Sequence, residues 1–177
     1  MSSRFEQTGS HTAYTGRQVK VFERTFRHED GEEVQREIVG HPGAVAVVAH
    51  DDRELWLVAQ PREAVGLPDM LEIPAGKCDV EDEPLLTTAQ RELAEEIGKG
   101  AARWEPLLSF HASPGFSDEK IHIFLATDLY DEPVDHDENE RIDIVRHPLD
   151  RLDELLDRTT DAKTLIGLYE LRRRLSG

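Results

Sequence analysis

The chain has 177 residues, of which 38% are hydrophobic and 33% charged, a composition that fits one main globular domain with a sizeable core. Its formal charge of -16 excludes most of the surface as a sequence-independent binding site for nucleic acid phosphates. The polar N-terminus and the lack of long apolar runs indicate neither a secretory signal nor a membrane anchor, and a single cysteine, Cys78, suits a reducing cytoplasm.

The first predicted element is an antiparallel β-hairpin. Residues 18–26 and 33–39 are rich in β-forming side chains, and they flank an Asp30-Gly31 pair, which is a strong turn signal. Residues 61–70 have the proline and glycine content of a loop. Further strands are expected, in chain order, at residues 44–49, 55–60, 71–73, 104–110, 121–127 and 142–146.

The clearest predicted helix covers residues 84–97, with Asp82 or Glu83 as its N-cap and Gly98 as its stop. Two shorter helices are expected at residues 149–156 and 162–175. Strands on both sides of a helix favour an α/β or α+β sandwich. The side chains expected to face the core are Leu86, Ala89, Leu93 and Ile97 in the first helix and Leu165, Leu168, Tyr169 and Leu175 in the last.

An acidic patch is expected on the first helix. Glu92, Glu95 and Glu96 lie side by side at helical spacing, and their mutual repulsion destabilises an isolated helix. Either Arg91 or bound divalent cations can offset that repulsion. From spacing alone the patch is also compatible with a solvated helix face.

A longer motif surrounds this patch. Gly76 is followed by Glu83 and then by Arg-Glu-Leu-Ala-Glu-Glu-Ile-Gly at residues 91–98. The motif resembles the Nudix box, in which a glycine and a spaced glutamate precede Arg-Glu-aliphatic-x-Glu-Glu-x-Gly. There are two departures: six residues, rather than the usual five, separate Gly76 from Glu83, and Lys99 stands where the family usually has an aliphatic residue. Neither departure removes a carboxylate.

The resemblance implies a Nudix-type α/β/α sandwich with a mixed sheet, preceded by the hairpin. Residues 1–40 would then form a dimerisation region and residues 41–177 the Nudix hydrolase domain. The resemblance also implies a Mg²⁺ site, which Mn²⁺ could also fill, for cleaving a phosphoanhydride. Glu92 and Glu96 would be the principal ligands, with the Ala75 carbonyl and Glu95 as further ligands. Arg91 would hold Glu83 and the helix in place.

Three segments outside the box look like the ADP-ribose pyrophosphatase branch of the family: residues 60–62, 71–76 and 113–119. This likeness implies Glu138 as general base and Glu140 as an additional metal-linked carboxylate, although residues 137–142 are by themselves an acidic loop. The substrate-binding candidates are Arg62 as a phosphate clamp, Glu72 and Glu119 near the ribose or metal, and Pro114. Their alternatives are a surface salt bridge, solvated carboxylates and a turn-forming proline.

The expected reaction is therefore Mg²⁺-dependent hydrolysis of ADP-ribose, or a close ADP-sugar, to AMP and a sugar phosphate. Two alternatives stay open: hydrolysis of another nucleoside diphosphate derivative, such as GDP-mannose, NADH or FAD, and a non-catalytic sensor that binds ADP-ribose. The resemblance also implies a homodimer in which N-terminal strands cross to the partner, and the single cysteine favours a cytoplasmic location. No nucleic acid or membrane partner is expected.

Overall fold

Residues 4–134 and 141–176 are described by the computed structural model of the chain. The chain forms two compact units. The first comprises Met1–Gly43 and His111–Lys120, and the second comprises Ala44–Phe110 and Ile121–Gly177. The first unit is not continuous in the sequence, because His111–Lys120 belongs with the N-terminal residues.

The first unit contains a three-stranded antiparallel sheet made of β1 (Phe5–Thr15), β2 (Lys20–His28) and β3 (Glu33–Gly40). The expected hairpin is present as β2 and β3, and Gly31 supplies the left-handed backbone of its turn with a φ of 86°. The prediction omitted β1, which pairs with β2 along its length. Hydrophobic periodicity could not reveal β1, because all but one of its residues are exposed.

The second unit contains a seven-stranded mixed sheet. Its central order is β10, β5, β4, β9, β8, with β6 beside β5 and β7 beside β4. The sheet is mixed because β4 runs parallel to β9 and antiparallel to β5. The bounds are β4 (Ala44–His50), β5 (Glu54–Arg62), β6 (Leu67–Glu72), β7 (Ala75–Lys77), β8 (Lys99–His111), β9 (Lys120–Asp131) and β10 (Asp143–Pro148).

Helices cover both faces of this sheet. They are α1 (Leu85–Ile97), α2 (Leu152–Leu156) and α3 (Ala162–Leu175). Alternate residues of β4 point to opposite faces, so Val45 and Val47 pack with Leu93 of α1, whereas Ala46 and Val48 pack with the cluster that contains α2 and α3. The predicted α/β/α sandwich with a mixed sheet is confirmed.

The close approach of α3 to β4 depends on a glycine. A Cβ placed on Gly167 would lie 2.9 Å from Cγ2 of Val48 and 3.2 Å from Cδ1 of Ile73. A side chain at this position would push the helix away from the sheet. The N-terminal turn of α3 can therefore lie against the segment that joins β6 to β7.

Several local predictions were wrong. Residues 61–70 are not a simple loop, because β5 extends to Arg62 and β6 begins at Leu67. Helix α1 begins after Pro84 without a side-chain cap, since Glu83 turns towards Thr88 and Arg91 instead. Leu86 is 39% exposed, and its neighbour Leu85 packs against the core in its place.

The apolar face of α3 also differs from the prediction. Tyr169 and Leu175 are more than half exposed, whereas Leu168 and Leu171 are fully buried. The buried face therefore runs through residues three or four apart from Thr164 to Leu171, and it is rotated away from Tyr169. In the part of the chain that the structure describes, no helix combines the length and apolar character needed to cross a bilayer.

Candidate metal and pyrophosphate site

The glutamates of α1 meet the backbone of β7. Glu96 is only 7% exposed, and its Oε2 accepts a hydrogen bond of 2.9 Å from the backbone N–H of Ala75. The Glu92 carboxylate lies over Gly76, since a Cβ at that residue would be 1.9 Å from the carboxyl carbon. The absence of a side chain at Gly76 thus leaves room for the Glu92 carboxylate. Gly98, in the left-handed conformation, ends the helix directly after these residues.

Arg91 is surrounded by three carboxylates. Its Nη1 donates to Glu92 at 2.7 Å and to Glu95 at 3.0 Å, and its Nη2 donates to Glu83 at 3.3 Å. Burial alone would lower the pKa of Arg91, but the surrounding carboxylates outweigh it and raise that pKa. Arg91 therefore offsets part of the repulsion between the glutamates. This is one of the two means of compensation expected from the sequence, the other being bound divalent cations.

Glu83 is fixed from a second side by Thr88, whose hydroxyl donates to Glu83 Oε2 at 2.8 Å. This hydrogen bond, together with Arg91, holds the pKa of Glu83 below its ordinary value. Thr88 is fully buried in α1. It was not among the predicted site residues, although its position five residues after Glu83 is compatible with a helix-start contact.

The donor set of this site decides whether a divalent cation fits it. Across residues 4–134 and 141–176, no three histidine, cysteine, aspartate or glutamate side chains are placed to hold a metal ion among themselves. Mg²⁺, however, is commonly bound through one or two carboxylates and retains several waters. The pair Glu92 and Glu96, next to the backbone of Ala75 and Gly76, fits that requirement.

A second charged group lies at the end of β6. Glu72 is 1% exposed and accepts two hydrogen bonds from Arg62, at 2.6 Å from Nε and 2.8 Å from Nη2. Lys163 of α3 donates to the same carboxylate. Burial opposes ionisation, but Arg62 and Lys163 outweigh it and hold the pKa of Glu72 below its ordinary value. The alternative of a solvated strand-end carboxylate was therefore wrong for Glu72.

The N-terminus of α3 completes this group. Asp161 caps the helix by accepting hydrogen bonds from the backbone N–H and the hydroxyl of Thr164, and it also pairs with Lys163 at 3.0 Å. The Thr164 hydroxyl in turn accepts a 2.9 Å hydrogen bond from the backbone N–H of Ile73. Sequence reasoning missed these residues because they lie about ninety positions after Glu72; the only local signal was an Asp at a helix start.

The two charged groups lie near each other within the second unit. Hydrogen bonding to Glu72 is the main factor that raises the pKa of Arg62; burial opposes it, and the charges of Glu96 and Asp161 raise it further. Arg62 is thus close enough to Glu96 to interact with it through space. The chain also links the groups directly, since Ala75 follows Glu72 by three residues.

The remaining predicted site residues are in the first unit or outside the described residues. Pro114 and Glu119 belong to the first unit, where Glu119 Oε1 is 3.7 Å from Nδ1 of His41. Glu138 and Glu140 fall outside the described residues. The structure groups the candidates of the second unit by their hydrogen bonds. Arg91 gathers Glu83, Glu92 and Glu95. Arg62 pairs with Glu72, and Ala75 pairs with Glu96.

The family of proteins described as NUDIX domain matches residues 40–168, which include both charged groups. The chain belongs to the Nudix family. The prediction of a Nudix hydrolase is confirmed by this match and by the relatives below.

Three curated relatives share substantial identity with this Nudix protein. An ADP-ribose pyrophosphatase of Mycobacterium tuberculosis (strain ATCC 25618 / H37Rv) is 43% identical over 126 residues, which cover 71% of this chain and 60% of the relative. An ADP-ribose pyrophosphatase of Bacillus subtilis (strain 168) is 35% identical, and a methanol dehydrogenase activator of Bacillus methanolicus is 37% identical. Each of these two alignments covers 90% of this chain and 88% of the relative.

A solved structure described as an ADP compounds hydrolase has the same fold. It superposes with a TM-score of 0.86 at 27% sequence identity, covering 99% of this chain and 96% of the other. The expected resemblance to the ADP-ribose pyrophosphatase branch is thus confirmed by both sequence and structure comparisons.

Proposed function

We propose that this Nudix protein hydrolyses the pyrophosphate bond of ADP-ribose, or of a related ADP-sugar, to AMP and a sugar phosphate, with Mg²⁺ as its cofactor and Mn²⁺ as a possible substitute. The names of the two ADP-ribose pyrophosphatases and of the ADP compounds hydrolase support this substrate class. The matched region of the mycobacterial relative is 60% of its length, so the substrate is inferred from the site as well.

One observation carries the proposal. Two glutamates of α1, Glu92 and Glu96, meet the backbone of β7 at Ala75 and Gly76, where glycine leaves room for the Glu92 carboxylate. Glu92 and Glu96 are thus directed at a neighbouring strand and not into bulk solvent, which is what a metal-ligand role requires.

Each side of the site would have a distinct part in the reaction. Glu92 and Glu96, with the Ala75 carbonyl, would hold the metal. Glu95 pairs with Arg91 at 3.0 Å, so it would become a further ligand only through a change in its side-chain conformation. When bound, a divalent cation there supplies charge neutralisation at the phosphates and acidifies water. Arg91, through Glu83, Glu92 and Glu95, keeps the ligands oriented. Arg62, held on one edge by Glu72, would direct its remaining N–H groups at a phosphate oxygen.

The base that accepts a proton from the attacking water is proposed to be Glu138, with Glu140 as an additional carboxylate near the metal. Both assignments rest on the resemblance to the ADP-ribose pyrophosphatase branch, since these residues are outside the described part of the chain. Replacing each by glutamine separates them, because a base variant regains activity as pH rises and the water ionises more readily.

The substrate class is tested with purified protein, Mg²⁺ and a panel of ADP-ribose, ADP-glucose, GDP-mannose, NADH and FAD. We expect AMP release from ADP-ribose to have the highest kcat/KM in the panel. A clear preference for GDP-mannose, NADH or FAD would replace the proposed substrate. Tight binding of ADP-ribose without any AMP release would favour the sensor alternative.

The metal role is tested with Glu96→Gln. This change keeps the size of the side chain but removes the charge, so we expect kcat to fall by at least about 100-fold while the circular dichroism spectrum is unchanged. Glu154→Gln is a matched control, since Glu154 pairs with Arg151 on the surface of the second unit. Near-normal turnover by Glu96→Gln would contradict the assignment.

The proposed assembly is a cytoplasmic homodimer formed through the N-terminal strands. The exposed Phe5, at the start of β1, and the limited core of a three-stranded sheet support self-association of the first unit. Light scattering of the full chain and of a variant that lacks residues 1–17 measures this directly.

A further inference from the structure

The charged group at the start of α3 contains two cations and two carboxylates, all in the second unit. Arg62 and Lys163 both donate to Glu72, and Lys163 also donates to Asp161. Lys163 and Asp161 have side chains that are 12% and 17% exposed, so water screens them weakly. The formal charges of the four residues sum to zero.

The balance determines what Arg62 can offer to a ligand. A guanidinium has five N–H donors, and Glu72 uses two of them, one on Nε and one on Nη2. The Arg62 side chain is 42% exposed, whereas Glu72 is buried behind it. Without a second cation, the charge of Arg62 would be fully matched by Glu72, and Asp161 would leave the group with a net negative charge.

We infer that Lys163 is a positioning residue for substrate binding: by neutralising the buried Glu72 and Asp161 jointly with Arg62, it leaves the exposed edge of Arg62 able to attract a pyrophosphate oxygen. The inference rests on the proposed function, in which Arg62 contacts a phosphate. It assigns a role to a residue of α3 that neither touches the substrate nor holds the metal.

The same segment also fixes the position of the neighbouring strand. Thr164, next to Lys163, accepts a hydrogen bond from the backbone N–H of Ile73, the residue after Glu72. Loss of Lys163 could therefore affect binding through either charge or structure. A test must separate these two effects, and the paired charges of Lys163 and Asp161 provide the means.

The experiment compares the unmodified protein with Lys163→Met, Asp161→Asn and the double variant. Methionine keeps the length of the side chain without its charge, and asparagine keeps an oxygen that can cap α3. Measured quantities are kcat and KM for ADP-ribose with Mg²⁺, the Kd of ADP-ribose in excess EDTA, and the melting temperature. Lys99→Met is the control, since Lys99 pairs with Asp131 in the same unit.

We expect Lys163→Met to raise both KM and Kd on the order of tenfold, with kcat within about twofold of the unmodified protein. The double variant should recover most of the lost affinity, because the group is neutral again, although its melting temperature is no higher than that of Lys163→Met. Asp161→Asn alone should bind at least as tightly as the unmodified protein. Lys99→Met should leave KM and Kd unchanged.

The inference is overturned if the double variant binds ADP-ribose as weakly as Lys163→Met or more weakly, since a purely structural role predicts that result. It is also overturned if Lys163→Met lowers kcat without changing KM and Kd. Failure of the proposed function has a different signature: the unmodified protein then binds ADP-ribose in EDTA but releases no AMP with Mg²⁺, and the order of the four affinities still decides the role of Lys163.

Discussion

Two arginines of the second unit lie in opposite electrostatic settings. Arg91 is matched against Glu83, Glu92 and Glu95, so its cluster has a surplus of negative charge. Arg62 shares its carboxylates with Lys163, so its group is balanced. The first arrangement favours an added cation, and the second allows one edge of an arginine to meet an anion. A phosphoanhydride with its metal needs both next to each other.

The two groups also differ in how burial acts. Glu72 is almost fully buried and would be unstable as a carboxylate without both cations. Glu95, by contrast, has a side chain that is 43% exposed, so water shares the cost of its charge. Substitutions at Glu72 should therefore alter stability, whereas substitutions around Arg91 should alter metal use and catalysis more than stability.

The acidic cluster around Arg91 is disrupted most directly by the substitution Gly76→Ala. The new methyl group would lie about where the Glu92 carboxylate now lies, so that carboxylate must move by more than 1 Å. We expect kcat to fall on the order of 100-fold and the Mg²⁺ concentration for half-maximal activity to rise. Gly9→Ala, where the nearest atom to the new Cβ is 3.5 Å away, is the control. Unchanged Mg²⁺ dependence would argue against the position of Glu92.

The charge-balanced group around Arg62 is disrupted by Glu72→Gln, which leaves Arg62 and Lys163 without their shared carboxylate. We expect a loss of about 2 kcal/mol in the free energy of unfolding at pH 7, measured with urea. Because the folded-state pKa of Glu72 is lowered, its contribution is fully present above the ordinary carboxyl pKa and is lost as pH falls through the lowered value.

The difference between the two proteins should therefore be constant from pH 8 to about 5 and should shrink as pH falls below about 4. Urea titrations at pH 7, 5 and 3 measure it. A difference that grows on acidification would show that the carboxylate of Glu72 is not held in its charged form by Arg62 and Lys163.

A smaller effect is expected from Arg91→Lys. Lysine keeps the charge but lacks the planar fork that reaches three carboxylates at once. We expect kcat/KM for ADP-ribose to fall about tenfold, with little loss of stability. Arg151→Lys is the matched control, because Arg151 also makes a two-pronged pair, with Glu154, but on the surface. Equal activities of the two lysine variants would contradict the proposal that Arg91 orients the metal ligands.

The sequence predicted the acidic side of the site better than the balanced side. The contacts of Arg91 occur within thirteen residues, from Glu83 to Glu95, so local spacing predicts that these side chains come together before any tertiary structure is known. The contacts of Glu72 with Lys163 and of Ile73 with Thr164 span 91 residues each. Only the packing of α3 on the sheet creates them, and no local pattern encodes that packing.

The fold shows the same division. Strand β4, in which most residues are buried, was predicted within one residue, because hydrophobic burial leaves a direct pattern. The polar strand β1 was missed, because it is defined by its pairing with β2 and has almost no buried residue. The prediction for Leu86 was wrong because the first turn of α1 has two adjacent leucines, and only the packing of the folded chain selects Leu85 for the core.

The backbone of the short segment between β6 and β7 is held in place by hydrogen bonds. The N–H of Ile73 is bound by Thr164, the carbonyl of Pro74 by the N–H of Val47, and the N–H of Ala75 by Glu96, while proline fixes one backbone angle. Glu72 and Ala75 are thus held at a fixed separation of at most about 10 Å. In the proposed function, Arg62, which is bound to Glu72, would contact one phosphate, and the metal held beside Ala75 would contact the other. This fixed spacing would then favour a ligand with two linked phosphates over each product of cleavage, which has only one phosphate at this place.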